Sequence, residues 1–193
     1  MTKFTAFNIF LIGVGGQGIG LLSEILIRAI DYSGQRCIGV DTHGLAQRGG
    51  VVSSHIKIGD VNSPLVLPGD VNLALALERH EAARALNYLK DNGILVYYNT
   101  SWQPLPVRLG KEPEIKEEEI ESTARQRNIS VFKVKYALPD SRMQNIALLG
   151  VVAKNNLVPG VEPKHYLMAL EDLMSERVYS ANKEIFESIL EAR

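Results

Sequence analysis

Apolar residues follow two different spacings along this chain. Short apolar runs that end at turn residues are typical of buried strands, whereas apolar residues three and four positions apart are typical of helices. The run NIFLIG at 8–13 is of the first kind, and the stripe from Ile19 to Ile30 is of the second. The pattern predicts strands at 8–13, 37–41, 51–58, 71–77, 93–99 and 129–137, and helices at 17–32, 78–90, 116–128, 141–155, 163–175 and 182–192.

The alternation of strands and helices predicts the fold class. Strands that alternate with helices favour a largely parallel sheet covered on both faces. A chain of 193 residues is long enough for one such domain, and no linker divides it. We expect a single α/β domain over residues 1–193, with a Rossmann-like, doubly wound, mostly parallel sheet.

Composition and charge exclude several classes of partner. The chain is 46% hydrophobic and 22% charged with a formal net charge of -1, which is ordinary for a globular protein. Its basic residues are scattered, so neither nucleic acid nor an anionic membrane surface is an expected partner. Residues 1–7 lack a signal-peptide pattern, and no apolar run approaches the roughly 20 residues of a membrane-spanning helix. The prediction is a cytoplasmic protein.

The single cysteine, Cys37, restricts the chemistry of the chain. An iron–sulfur cubane needs about four thiolates, so none is expected here, and neither is a cysteine-type zinc site. No two histidines have the i, i+4 spacing of a zinc helix. We therefore expect no metal site and no catalytic residue on this chain. His55 is expected to be structural within a strand, and His80 and His165 are expected at the surface.

A glycine-rich turn joins the first predicted strand to the first predicted helix. The sequence Gly-Val-Gly-Gly-Gln-Gly at 13–18 fits G-x-G-x-x-G in the context that this motif requires. Glycines let the backbone approach a ligand closely, and a helix N-terminus offers free N–H groups to a phosphate. The expected cofactor-binding residues are Gly13, Gly15, Gly16, Gln17, Gly18 and Asp41.

Asp41 ends the next predicted strand, where nicotinamide enzymes place the acid that binds ribose. A free-standing NAD(P)- or flavin-binding oxidoreductase is therefore one functional hypothesis. A second interpretation is that the glycines only permit close packing of the strand and the helix. A Walker-type phosphate loop is excluded, because Ile19 and Gly20 stand where Lys and Ser/Thr are required.

A second glycine-rich loop, HGLAQRGG at 43–50, follows Asp41 directly. In a doubly wound sheet this loop is expected on the same rim as the first turn, since both follow the carboxyl ends of strands. A nicotinamide domain has no reason for such a loop.

The two glycine motifs together resemble the gamma domain of 2-oxoacid:ferredoxin oxidoreductases. The resemblance spans nearly the whole chain and includes Gly-Asp at 69–70 and MQNIALLG at 143–150. The Gln-Arg-Gly-Gly form, on a short separate polypeptide, is most similar to the beta subunit of indolepyruvate:ferredoxin oxidoreductase.

The resemblance implies a role within a complex. Enzymes of this kind decarboxylate a 2-oxoacid on thiamine diphosphate, pass electrons through [4Fe-4S] clusters to ferredoxin, and release an acyl-CoA. It implies that thiamine diphosphate and the clusters belong to partner subunits, while this chain helps to cover the active site and contributes to the coenzyme A side. The isolated chain is expected to be inactive and able to self-associate.

The same resemblance implies a subunit-interface or active-site-covering loop, for which we select His43, Gly44, Gln47, Arg48, Gly49, Gly50 and Asn145. Asn145 lies inside an apolar helical stretch, where a buried amide needs a partner. It is expected to hold the glycine loop or the backbone of a partner. Trp102, in a proline-rich segment, is expected either to anchor a subunit contact or to cap the core.

Overall fold

The computed structural model describes residues 6–43, 50–103 and 105–192. In chain order the elements are β1 (Phe7–Val14), α1 (Ile19–Tyr32), β2 (Cys37–His43), β3 (Val51–Ile58), β4 (Val71–Ala76), α2 (Arg79–Ala85), β5 (Leu89–Tyr98), α3 (Leu105–Arg108), α4 (Glu117–Gln126), β6 (Ser130–Val134), a 3-10 turn (Ser141–Met143), α5 (Gln144–Lys154), α6 (Pro163–Leu173) and α7 (Glu176–Glu191).

The strands form one six-stranded sheet in the order β2-β3-β1-β4-β5-β6. Strands β1, β4, β5 and β6 are parallel neighbours, and β3 runs antiparallel to both β1 and β2. Five of the six strands therefore share one direction. The predicted fold class, a mostly parallel α/β sheet, is confirmed, with the reversed strand β3 as its particular feature.

Alternate residues of β1 divide the core between the two faces of the sheet, as the period of two in a strand requires. Ile9 and Leu11 pack with α1, α5, α6 and α7 on one face. Phe10 and Ile12 pack with α2 and α4 on the other. The helix that follows β1 and the helix that follows β4 thus cover opposite faces. Neighbouring strands whose helices diverge in this way open a crevice at their carboxyl ends.

The structure corrects the predicted region around residues 78–99. Helix α2 is the short segment Arg79–Ala85, and β5 already begins at Leu89. Asn92 and Gly93, a pair with strong turn propensity, lie inside β5, where the pairing with β4 shifts register. Asn92 has a φ of 60°, so a bulge absorbs the turn-forming pair without ending the strand.

Other differences are smaller. Helix α7 begins at Glu176, six positions before the predicted start at 182, and β6 ends at Val134 rather than at 137. His80 and His165, expected at the surface, are buried. The Nδ1 of His165 accepts a hydrogen bond from the N–H of Glu162 at 3.0 Å, which satisfies this buried ring nitrogen at the start of α6. Within the described residues, no helix combines the length and the apolar character needed to cross a membrane.

Candidate functional site

The glycine turn between β1 and α1 is held by hydrogen bonds among its own residues. The N–H of Gln17 donates to the carbonyl of Val14 at 3.0 Å, and the N–H of Val14 donates to Oε1 of Gln17 at 2.8 Å. Gly16 and Gly18 have φ angles of 104° and 85°, a left-handed region that favours glycine. The side chain of Gln17 therefore folds back onto β1 and fixes the turn that the sequence predicted.

The turn presents hydrogen-bond donors that no side chain of the described residues accepts from. Gln17 is 7% exposed, yet its Nε2 has no hydrogen-bond partner among residues 6–43, 50–103 and 105–192. Helix α1 begins after Gly18 with no side-chain cap, so its first N–H groups are not satisfied by a capping residue. Unsatisfied donors at a helix N-terminus favour an anion.

Asn145, a residue of helix α5, lies against this turn. It is buried at the start of α5, and its Nδ2 lies 3.5 Å from the carbonyl oxygen of Gly18. A Cβ at position 18 would lie only 2.8 Å from the same Nδ2. The structure thus places Asn145 beside the glycine turn, and the glycine at position 18 leaves room for its amide.

The second glycine-rich loop connects β2 to β3, and its ends lie beside the first turn. Val14 pairs with Val51, the backbone of His43 pairs with Val52, and the N–H of Gly15 donates to the carbonyl of Gly50 at 2.8 Å. Gly50 is thus next to the turn, as the sequence predicted. The remaining selected residues of this loop, Gly44, Gln47, Arg48 and Gly49, lie outside the described residues.

Asp41 is separated from the turn by a strand. The antiparallel strand β3 lies between β1 and β2, whereas a dinucleotide-binding sheet pairs its first two strands directly. Asp41 is opposite Ser54, and Ser54 is opposite Leu11, so Asp41 is level with Leu11, three residues before the end of β1. The Asp41 carboxylate accepts a hydrogen bond from the hydroxyl of Ser54. The structure thus brings five of the six predicted cofactor-binding residues together in the turn. Asp41 lies two strands away in the sheet order, although its Oδ2 is 3.8 Å from the position that a Cβ on Gly20 would take in the first turn of α1.

A cleft of about 800 Å³ opens at the carboxyl ends of β1 and β4, beside Val14, Gly50 and Val51. Its other walls come from α2 and from the segment that follows β5, which includes Trp102. The carboxylate of Glu78 connects these two walls, because it accepts hydrogen bonds from the N–H of Glu81 and, at 3.3 Å, from the N–H of Trp102. The cleft occupies the crevice where a doubly wound sheet binds its ligands.

Glu81, which the sequence analysis did not select, lines this cleft. It is 2% exposed, and its Oε1 accepts a hydrogen bond from Nη1 of Arg84 at 2.5 Å. Burial raises the pKa of Glu81, although the neighbouring Arg84 opposes the shift. Glu81 stands in the polar run ERHEAAR with no motif around it, so only the i, i+3 spacing to Arg84 hinted at the ion pair.

The other polar candidates have structural roles. Nδ1 of His55 accepts a hydrogen bond from the N–H of Val66 at 3.3 Å, and its ring packs edge-on against Phe10. Burial lowers the pKa of His55.

Cys37 is only half-buried, at the first position of β2. Among the described residues no group of three His, Cys, Asp or Glu side chains is arranged to hold a metal ion.

Sequence reasoning also passed over a Tyr-x-x-x-Lys pair, the spacing used by some nicotinamide enzymes for acid–base chemistry. Tyr179 and Lys183 have this spacing on α7. The ammonium of Lys183 lies 5.8 Å from the centre of the Tyr179 ring and 3.7 Å from the carboxylate of Glu187. Neither residue lines the cleft, so the pair is best explained by contacts on the surface of the helix.

Comparison with protein families gives a match over almost the entire chain. The family described as pyruvate ferredoxin/flavodoxin oxidoreductase matches residues 8–192. The indolepyruvate oxidoreductase subunit IorB of Archaeoglobus fulgidus is 32% identical over 181 residues, which cover 91% of this chain and 89% of that protein. The subunit IorB of Methanothermobacter thermautotrophicus is 31% identical over 185 residues, covering 93% of this chain and 94% of the relative.

Solved structures with the same fold come from related complexes. The gamma subunit of keto/oxoacid ferredoxin oxidoreductase from Geobacter sulfurreducens aligns with a TM-score of 0.65 at 21% identity, and 96% of each chain is covered. The pyruvate oxidoreductase subunit PORC of Thermotoga maritima aligns with a TM-score of 0.70 at 17% identity, again over 96% of each chain. A chain of 2-oxoglutarate:ferredoxin oxidoreductase from Magnetococcus marinus aligns with a TM-score of 0.65 at 18% identity, but this protein covers only 31% of it.

Proposed function

Because the chain belongs to the pyruvate ferredoxin/flavodoxin oxidoreductase family, we propose that it is the non-catalytic, gamma-type subunit of a 2-oxoacid:ferredoxin oxidoreductase of the indolepyruvate type. The observation that carries this proposal is the similarity to two IorB subunits along nearly their entire length. In this role the chain supports the oxidative decarboxylation of a 2-oxoacid to an acyl-CoA by binding the subunits that carry out the chemistry.

The proposed division of labour follows from the side chains that this chain offers. Its one cysteine is too few for a [4Fe-4S] cluster, and no Gly-Asp-Gly with a following pair of Asn is available to bind thiamine diphosphate. In the proposal, thiamine diphosphate and the clusters are held by partner subunits, which pass electrons to ferredoxin. The contribution of this chain is then to bind, to orient and to exclude water.

We further propose that coenzyme A contacts this chain at the glycine turn. Coenzyme A carries phosphate groups, and the turn combines an uncapped helix start with the buried, unpartnered Nε2 of Gln17. Amide donors in such a position suit an anion. The glycine at 16 has nothing within 4 Å of its Cβ position, which leaves room for the ligand to approach the backbone. These residues would bind and position coenzyme A and would take no part in bond making.

A free-standing NAD(P)- or flavin-binding oxidoreductase is the second candidate, and the same glycine turn is the observation in its favour. The strand order counts against it, because β3 separates Asp41 from the turn and a ribose-binding acid belongs on the strand next to β1. The two candidates also differ in their partners, since a free-standing enzyme needs none.

Purification from the native host tests the subunit role. A tagged copy of the chain should recover a partner that contains thiamine diphosphate and has the visible absorption of iron–sulfur clusters. The complex, but not the isolated chain, should reduce ferredoxin with indolepyruvate and coenzyme A. Recovery of the tagged chain alone, at native expression levels, would contradict the proposal.

Isothermal titration calorimetry of the purified complex separates the two ligands. We expect saturable binding of coenzyme A and no binding of NAD(H), NADP(H) or FAD. Coenzyme A without its 3′-phosphate is the matched ligand that shows whether this phosphate is recognised. Saturable binding of NAD(H) to the isolated chain, without binding of coenzyme A to the complex, would favour the second candidate.

A further inference from the structure

The carboxylate of Glu81 is only half satisfied by its own chain. Oε1 is bonded to Arg84, whereas Oε2 is buried and has no donor anywhere in the part of the chain that the structure describes. A buried carboxylate normally has donors at both oxygens, because an unsatisfied charged atom away from water is destabilising. A residue that lines the cleft therefore carries a buried acceptor for which the described residues supply no donor.

Among the described residues no neighbouring cation meets this need, including Arg108, which lines the cleft. The guanidinium of Arg79 is bonded to Glu114 at 3.1 Å, and the half-exposed Arg84 already serves Oε1. The proximity of Glu78 adds a repulsion that raises the pKa of Glu81 further. A second positively charged donor at Oε2 would offset both the burial and this repulsion.

Exposed apolar side chains line the same cleft as Glu81 or lie next to it in the chain. Trp102 is 52% exposed and Val51 is 40% exposed, and both line the cleft. Leu109, 59% exposed, follows the lining residue Arg108 in the chain. Large apolar side chains around a desolvated polar anchor are characteristic of the centre of a protein–protein interface, where tryptophan is enriched. This surrounding favours a protein over a free metal ion or a small cation.

We infer that this cleft is the docking site for a partner subunit, which inserts an Arg or Lys side chain that donates a hydrogen bond to Oε2 of Glu81 while its neighbours cover Trp102. The inference rests on the proposed function, because it takes the thiamine- and cluster-bearing subunit as the partner. It adds the residues through which that partner is recognised. Charge complementarity with the half-satisfied carboxylate selects a basic side chain.

The affinity of the purified partner subunit for variants of this chain tests the inference. Glu81→Gln keeps the shape and the acceptor for Arg84 but removes the charge, and we expect it to weaken the complex at least tenfold, as the loss of one buried charged contact does. Trp102→Ala should weaken it by a similar factor. Glu121→Gln, which makes the same charge change on the exposed side of α4, is the matched control and should stay within twofold.

Thermal melting of each isolated variant checks the fold, and a variant that melts cooperatively at or above the wild-type temperature reports on docking. Affinities of Glu81→Gln and Trp102→Ala within twofold of the wild type would overturn the inference and leave the proposed function intact. If the wild-type chain itself binds no thiamine- and cluster-bearing subunit, the proposed function fails and the docking site fails with it.

One internal donor must also be tested. Arg48 stands two residues before Gly50, which lines the cleft. The pKa of Glu81 can be followed in the isolated chain by its carbon-13 carboxyl resonance, with and without Arg48→Gln. Loss of a cation from Oε2 would raise this pKa. If Arg48→Gln raises it and Glu81→Gln leaves partner affinity unchanged, Arg48 is the donor and the inference is overturned; an unchanged pKa with weakened affinity supports it.

Discussion

The glycine turn and the Glu81 cleft lie side by side on one rim of the sheet and are built in opposite ways. Within the described residues, the turn offers donors without a side-chain acceptor, at Nε2 of Gln17 and at the uncapped start of α1. The cleft offers an acceptor for which the same residues supply no donor, at Oε2 of Glu81. The turn is formed by residues adjacent in sequence and braced by Asn145, whereas the cleft is assembled from β1, α2 and the segment after β5.

This difference indicates which kind of molecule the glycine turn suits and which kind the Glu81 cleft suits. Unsatisfied amide donors favour an anion, and an unsatisfied buried carboxylate favours a cation. A small molecule with phosphate groups matches the first, and a basic side chain of a partner matches the second. Both halves have polar groups that the described part of the chain leaves incomplete, as is reasonable for a protein that works inside a complex.

The largest expected effect comes from disturbing the contact between Gly18 of the glycine turn and Asn145. Gly18→Ala forces Ala into a φ of 85° and brings a Cβ to 2.8 Å from Nδ2 of Asn145. Left-handed strain and overpacking together should destabilise the isolated chain by about 3 kcal/mol, measured by urea unfolding. Gly34→Ala is the matched control, because Gly34 has a φ of 77° but nothing within 4 Å of its Cβ position. It should cost only about 1 kcal/mol.

A double variant sharpens this result. Adding Asn145→Ala to Gly18→Ala removes the atom that the new Cβ would meet. The two changes should therefore be less destabilising together than the sum of the single changes, by about 1 kcal/mol. Strict additivity would show that Asn145 does not determine the need for glycine at position 18.

Asn145→Asp tests the polar character of the same contact. The change replaces the amide beside the Gly18 carbonyl with a buried carboxylate oxygen, which should destabilise the chain by about 2 kcal/mol at neutral pH. The deficit should shrink in acid, where the new carboxyl is protonated. Asn155→Asp, at the exposed end of the same helix, is the control and should lose less than about 1 kcal/mol. Equal losses in the free energy of unfolding for the two variants, measured in urea, would contradict a stabilising contact between Asn145 and Gly18.

Gln17→Glu tests the turn as an anion site. The substitution keeps Oε1 as the acceptor for Val14 but replaces the unpartnered Nε2 with a negatively charged oxygen. Coenzyme A should bind the complex about tenfold more weakly, equivalent to roughly 1.4 kcal/mol, by calorimetry. Gln126→Glu, at the exposed end of α4, makes the same change elsewhere and should leave binding unaltered. Unchanged binding by Gln17→Glu would remove the turn from the proposed coenzyme A site.

The smallest expected effect is a pH dependence that originates at Glu81. Its pKa is raised in the folded chain, so its ionisation opposes folding increasingly as pH rises from the unfolded pKa through the folded one. Glu81→Gln removes this penalty and should gain about 1 kcal/mol or less at neutral pH, and nothing in acid, where both states of the wild type are protonated. Melting temperatures across this range measure the difference.

Glu162→Gln provides a contrast of opposite sign. The hydrogen bond from Lys164 holds the pKa of Glu162 below its ordinary value, so its charge stabilises the folded chain above the unfolded pKa, and this stability is lost as pH falls through the folded pKa. The variant should therefore fall below the wild type as pH rises. Parallel pH profiles for the two variants would show that at least one of the two environments is not as described.

The sequence predicted the elements whose signals are local. The apolar run of β1, the glycines at 13–18 and the stripe of α1 depend on neighbouring residues, and the family resemblance that they support is confirmed. The region from 78 to 99 was predicted less well, because Asn92 and Gly93 have strong turn propensity and only pairing with β4 keeps them in a strand. The burial of His80 and His165 depends on packing that no local pattern contains.

By itself, the sequence determined the fold class, the glycine turn and the lack of cysteines for a cluster, because hydrophobic period, backbone freedom and ligand count are properties of residue order and identity. Only the tertiary structure decided that β3 separates Asp41 from the turn, that Asn145 packs on Gly18 across 127 positions, and that Glu81 is buried in a cleft. Strand order, long-range contact and desolvation arise only when distant segments meet. These three features shape the glycine turn and the adjoining cleft, on which the proposed function rests.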